Sequence, residues 1–82
     1  MWFTVLKEEF LDFKAGSIFV ATKTPSNTVV ANAYDLGRME PDPKKAPIIC
    51  RPAAARLMFT RPTKSLSDAM EESINQCEAN YC

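Results

Sequence analysis

Two short runs rich in β-branched and aromatic residues, separated by one turn signal, constrain this chain more than any other feature. The runs occupy 17–23 and 28–34. Between them, Pro25 presets φ for the first central position of a turn, and Asn27 tolerates the left-handed conformation that hairpins require. Two such runs joined by such a loop predict an antiparallel hairpin over 17–34.

The last part of the chain has the spacing of an amphipathic helix. Ser65 offers a cap, and an acidic residue follows in the first turn, where a helix N-terminus favours negative charge. We therefore predict a C-terminal helix over about 66–79, with its large apolar residues buried on the sheet. Substituting Ile74 by alanine is then expected to cost roughly 2–4 kcal/mol. The predicted apolar stripe consists of Leu66, Met70, Ile74, Cys77 and Tyr81.

The remaining segments are less uniform. Residues 2–6 read as a short strand, whereas 8–14 fit a helical turn and an extended segment equally well. Residues 35–47 contain three prolines and predict a long loop. Residues 52–58 fit a short helix with proline at its first position, or a strand. We favour the strand, because the exit through Pro62 favours extended backbone just before it.

Together these segments predict an α+β fold. We expect a small, three- to four-stranded, mainly antiparallel sheet packed against a C-terminal amphipathic helix. With 82 residues, the chain is expected to form a single domain over 1–82. No secretory leader and no apolar run of membrane-spanning length is evident, so we expect a cytoplasmic protein with no membrane partner.

The residue types needed for common catalytic and metal sites are scarce. The sequence has no histidine, which removes the usual serine–histidine and cysteine–histidine nucleophiles. Two glycines cannot make a phosphate-cradling loop. The three cysteines Cys50, Cys77 and Cys82 have no metal-binding or disulfide spacing, so we expect reduced thiols. We predict no catalytic residue, no metal, no cofactor and no enzymatic activity.

Charge is segregated along the chain although the total is zero. Residues 38–64 hold seven basic and two acidic residues, a net of +5, whereas 65–82 hold four acidic residues and no basic one. The two regions either neutralise each other or present separate surfaces to a partner. The zero total removes the simplest argument for nucleic-acid binding and leaves homo-oligomerisation open. The candidate partner-binding residues are Arg38, Lys44, Lys45, Arg51, Arg56, Arg61 and Trp2.

Two stretches resemble known proteins. Residues 10–20, Phe-Leu-Asp-Phe-Lys-Ala-Gly-Ser-Ile-Phe-Val, resemble the diverging turn and following strand of SH3-like barrels. Residues 65–74 are similar to the strand-to-helix entry of small α+β proteins, including antitoxins and phage-encoded inhibitors. Neither resemblance assigns a functional residue to this chain.

These observations predict a small non-catalytic module that binds a larger protein and acts as its inhibitor or modulator. A compact genome such as that of a phage would suit such a protein, in the manner of a host-takeover factor. The alternative is a nucleic-acid-binding accessory protein that uses the basic 38–64 segment.

Overall fold

An antiparallel sheet forms the body of the protein, whose computed structural model describes residues 1–80. Its first three strands follow one another as neighbours, in the order β1, β2, β3. β3 then pairs on its far edge with both of the remaining strands. The strands are β1 (Trp2–Val5), β2 (Ile18–Lys23), β3 (Val29–Asp35), β4 (Glu40–Pro41) and β5 (Ile48–Cys50).

The predicted hairpin is confirmed. β2 and β3 pair antiparallel from Phe19 opposite Ala33 to Lys23 opposite Val29. The connecting turn has Asn27 at a φ of 62°, the left-handed conformation that the sequence assigned to it. The loop expected over 35–47 is interrupted, since β4 folds back on the end of β3.

Two helices complete the fold, α1 (Pro52–Met58) and α2 (Leu66–Ala79). The strand favoured for 52–58 is therefore wrong, and proline does stand at the start of a helix. The chain becomes extended at Phe59 and returns along the free edge of β1. This return segment, 59–63, is held by hydrogen bonds from the Thr60 amide to the Val5 carbonyl, 2.8 Å, and from the Thr63 amide to the Phe3 carbonyl, 2.9 Å.

The segment 8–14 is neither a helix nor a strand. Phe10 and Phe13 exchange two backbone hydrogen bonds of 3.0 Å and close a tight turn, with Leu11 at a φ of 54°. This turn lies within the stretch that resembles the diverging turn of SH3-like barrels, and β2 follows it.

The two faces of the sheet bury different clusters. On one face, Leu6, Phe19 and Ala31 belong to the larger core, which α1 and Phe59 cover. On the other face, Val5 and Ile18 pack against Ala69 of α2. The α+β class and the antiparallel sheet with a C-terminal helix are thus confirmed, with five strands in place of the three or four predicted.

The rotation of α2 about its axis is not the predicted one. Ala69 is fully buried, whereas Met70 is 44% and Ile74 60% exposed, and Leu66 is only partly buried. The reason is steric, because small side chains allow the helix to approach the backbone at Gly16. The Ser73 hydroxyl donates a hydrogen bond to the Gly16 carbonyl. The last stripe position, Tyr81, lies outside the described residues, as does Cys82.

Candidate functional site

A pocket of about 320 Å³ opens between the sheet and α1, on the face opposite α2. We call it the Trp2 pocket. Its volume is at the small end of the range found for ligand sites, roughly 300–1,000 Å³. The residues that line it are Trp2, Thr4, Lys7, Ala21, Lys23, Val29, Pro52, Ala55, Arg56, Phe59, Thr60, Arg61 and Pro62.

The sheet supplies the apolar floor through its pairing register. Trp2 lies opposite Ala21 in the β1–β2 pair, and Lys23 lies opposite Val29 in the β2–β3 pair. Alternate residues of a strand point to the same face, so Ala21 and Lys23 reach the pocket together. Trp2 is half-buried and packs against the larger core, which leaves part of its indole surface accessible.

The opposite wall is built by α1 and the return segment. Phe59 is buried and packs edge-to-face on Phe19, with ring centroids 5.2 Å apart, which anchors the wall to the core. The Thr4 hydroxyl donates to the Thr60 carbonyl at 2.8 Å, and the Thr60 hydroxyl accepts from the Val5 amide at 3.2 Å. These bonds tie the wall to β1 and give the pocket a fixed shape.

Four cationic side chains surround this apolar floor, and none of the acidic residues within 1–80 lines it. They come from different parts of the fold: Lys7 follows β1, Lys23 ends β2, Arg56 lies on α1 and Arg61 lies on the return segment. The Lys7 ammonium donates to the Arg56 carbonyl at 3.4 Å. None of the four forms an ion pair within the described residues.

The acidic helix lies on the other side of the sheet from this pocket. Successive strand residues face opposite ways, so Trp2 lines the pocket while Phe3 packs edge-to-face on Tyr34 in the cluster under α2. Within residues 1–80, the basic segment and α2 share no ion pair. α2 reaches the edge of the pocket at two points. Asp68 and Glu72 line a further cavity together with Arg61, and the side-chain amide of the C-cap residue Asn80 donates to the Lys7 carbonyl at 3.0 Å.

The structure brings together three of the seven residues proposed from the sequence. Trp2, Arg56 and Arg61 line one pocket. The other four do not line it and have other surroundings. Arg38 forms an ion pair with Glu40 at 2.8 Å, and the Lys45 ammonium lies 5.6 Å from the ring centroid of Phe13. Lys44 is exposed in the loop, and Arg51 is the N-cap residue of α1.

Sequence reasoning missed Lys7 and Lys23, because it searched for cations only in the basic segment. Lys23 had a usable signal. Within the predicted hairpin, it shares a face with Phe19 and Ala21, so an apolar face ends in a cation. Lys7 had no such sequence signal, because its position at the pocket depends on the pairing of the return segment with β1.

Other chemical groups are sparse in the described part of the chain. Residues 1–80 contain no cluster of three or more potential metal ligands. Burial raises the pKa of the Cys50 thiol, which is free. Cys77 is disulfide-bonded, so the expectation of reduced thiols is wrong for this residue. No helix within the described range is long and apolar enough to cross a membrane.

No known protein-family model, curated protein or solved structure matches this chain.

Proposed function

We propose that this protein is a non-catalytic binding domain that docks on a larger protein through the Trp2 pocket. The observation that carries the proposal is the pocket itself, an aromatic and aliphatic floor surrounded by four cations that have no ion-pair partner in residues 1–80. Modulation or inhibition of that partner, a viral origin and a cytoplasmic setting remain predictions from the sequence.

The composition of the pocket suits a protein interface. Tryptophan and arginine are the residues most enriched among those that dominate binding energy, especially where they are set in well-packed pockets. Trp2 has this setting, since it packs against the larger core, and Arg56 is exposed at the pocket wall. Surrounding cations would orient an acidic partner and accelerate its association.

A second candidate, binding of single-stranded nucleic acid, is supported by one observation. The helix α2, whose carboxylates would repel a polyanion, packs on the opposite face of the sheet, and of those carboxylates Asp68 and Glu72 share a cavity with Arg61. Against it, proteins that bind single strands present several aromatic rings to successive bases. Among residues 1–80, the Trp2 pocket presents one, because Phe59 is 4% exposed.

The experiment that tests the proposal is affinity capture from nuclease-treated native lysate with two charge-reversal variants. Wild-type protein is compared with the double variant Lys23→Glu/Arg56→Glu and with Lys44→Glu. Lys23 and Arg56 are both exposed, so the fold should tolerate reversal of their charges. A melting curve of each variant checks this. Lys44 is equally exposed but does not line the pocket.

We expect one protein to be captured by the wild type and by Lys44→Glu, and to be lost with the double variant. Its capture by all three proteins alike would contradict the Trp2 pocket as the docking surface. Capture that disappears on nuclease treatment would replace the proposal with the nucleic-acid candidate.

A further inference from the structure

We infer that the ligand of the Trp2 pocket is a short acidic peptide segment whose carboxylates flank a bulky apolar side chain. The inference rests on the proposed function and specifies the chemistry of the partner. It follows from the two kinds of surface that the pocket combines, an apolar floor and a cationic surround, over a volume of about 320 Å³.

The apolar floor requires an apolar group in the ligand. Trp2, Ala21, Val29, Ala55 and Phe59 contribute it, and among their side chains only the Trp2 indole N–H can form a hydrogen bond. A ligand that carried only negative charge, such as inorganic phosphate, would leave this surface facing water. A volume of about 320 Å³ suits one large side chain together with parts of its neighbours.

The cationic surround requires negative charge on both sides of that group. Lys23 ends β2, whereas Arg56 lies on α1 and the ammonium of Lys7, which follows β1, donates to the Arg56 carbonyl. Acidic residues before and after an apolar anchor can pair with cations on both sides of the floor, and arginine offers one of them a bidentate hydrogen-bonding partner.

The number of accessible aromatic rings in the pocket favours a peptide ligand over a nucleic acid. One base could stack on the exposed part of Trp2, but the part of the chain that the structure describes offers the next base no aromatic surface in the pocket, since Phe59 is buried. A peptide needs a single anchor, and an extended backbone can then follow the rim.

The test uses Trp2 itself as the reporter, since it is the only tryptophan in the sequence. The probe is a ten-residue peptide with a central Leu–Phe pair and four glutamates on each side. Two control peptides replace the Leu–Phe pair by two serines, or the glutamates by glutamines. Tryptophan emission is followed during titration of the wild type, of Lys23→Glu/Arg56→Glu and of Lys44→Glu.

We expect the complete peptide to shift Trp2 emission to shorter wavelength and to saturate. Each control peptide should bind at least ~10-fold more weakly, and the double variant should lose at least ~10-fold in affinity, while Lys44→Glu stays within about 2-fold of the wild type. Equal binding of the serine control would show a simple anion site and overturn the inference.

A nucleic-acid titration and the capture experiment complete the design. Oligothymidylate that shifts Trp2 emission at lower concentration than the peptide, with a steep salt dependence, would also overturn the inference. If the acidic peptide fails to bind while capture of a protein still depends on Lys23 and Arg56, the inference fails and the proposed function stands. If the wild type and Lys23→Glu/Arg56→Glu capture the protein equally well, the proposed function fails.

Discussion

At position 16, both the local backbone conformation and the packing of α2 require a glycine. Gly16 has a φ of +92°, a conformation that side-chain-bearing residues rarely adopt. A Cβ added there would lie 3.0 Å from the backbone carbonyl oxygen of Ser73 and 3.5 Å from the Cβ of Cys77. The absence of a side chain therefore permits both the turn before β2 and the close approach of α2.

Substituting Gly16 by alanine should destabilise the fold by roughly 1–3 kcal/mol, because the new methyl group meets helix backbone and the positive φ becomes strained. Gly37→Ala is the matched control. Its φ is not positive, and its added methyl would meet only the Asp35 side chain at 3.3 Å. Urea unfolding of both variants measures the difference, and equal free energies of unfolding would contradict this account of Gly16.

Single residues were predictable from the sequence where their role is local. Asn27 was assigned a left-handed turn conformation on residue type alone, and it has one. Leu11 has a positive φ that its residue type disfavours, and no local rule predicts it. Glycine is a common turn residue, but the contact of Gly16 with Ser73 joins positions that are 57 residues apart in the sequence.

At the scale of elements, α2 shows how a correct helix prediction can have a wrong buried face. Its bounds agree with the predicted 66–79, and Ser65 caps it by accepting a hydrogen bond from the Asp68 amide at 3.2 Å. The predicted face followed the largest apolar residues. The observed face instead follows Ala69, which packs on Val5 and Ile18, and Ser73, whose backbone and hydroxyl lie close to Gly16.

Ile74→Ala should therefore change the free energy of unfolding by less than about 1 kcal/mol, since Ile74 is 60% exposed and alanine has the higher helix propensity. Ala69→Leu is the contrasting variant. Ala69 is fully buried, so added methylenes should overpack the interface and cost roughly 1–3 kcal/mol. Thermal or urea unfolding compares the two, and a larger loss for Ile74→Ala would restore the orientation predicted from the sequence.

α1 illustrates a choice that the sequence left open. Residues 52–58 satisfy the local rules of a short helix and of a strand, and the structure forms a helix with no fully buried residue. The extended geometry expected before Pro62 is present, but it begins only at Phe59. Pairing of the return segment with β1 determines where α1 ends and the extended backbone begins. Such long-range pairing cannot be predicted from the local sequence.

At the scale of the whole molecule, the sheet separates basic from acidic side chains, which the sequence shows only as a basic segment followed by an acidic one. The basic pocket opens on one face and the acidic helix packs on the other, which explains how a protein of zero net charge can present a cationic surface. The sequence identified Trp2, Arg56 and Arg61 by type. Their convergence with Lys7 and Lys23 depends on strand register and on the return segment, which only the folded chain provides.

The most direct test of the Trp2 pocket is an NMR titration of isotope-labelled protein with the acidic Leu–Phe peptide. We predict that amide shifts change along the pocket, at Lys23, Val29 and Arg56, while the outer face of α2 at Met70 and Ile74 is unaffected. Changes confined to Met70 and Ile74, with none at the pocket, would contradict the account and identify the exposed apolar face of α2 as the contact surface.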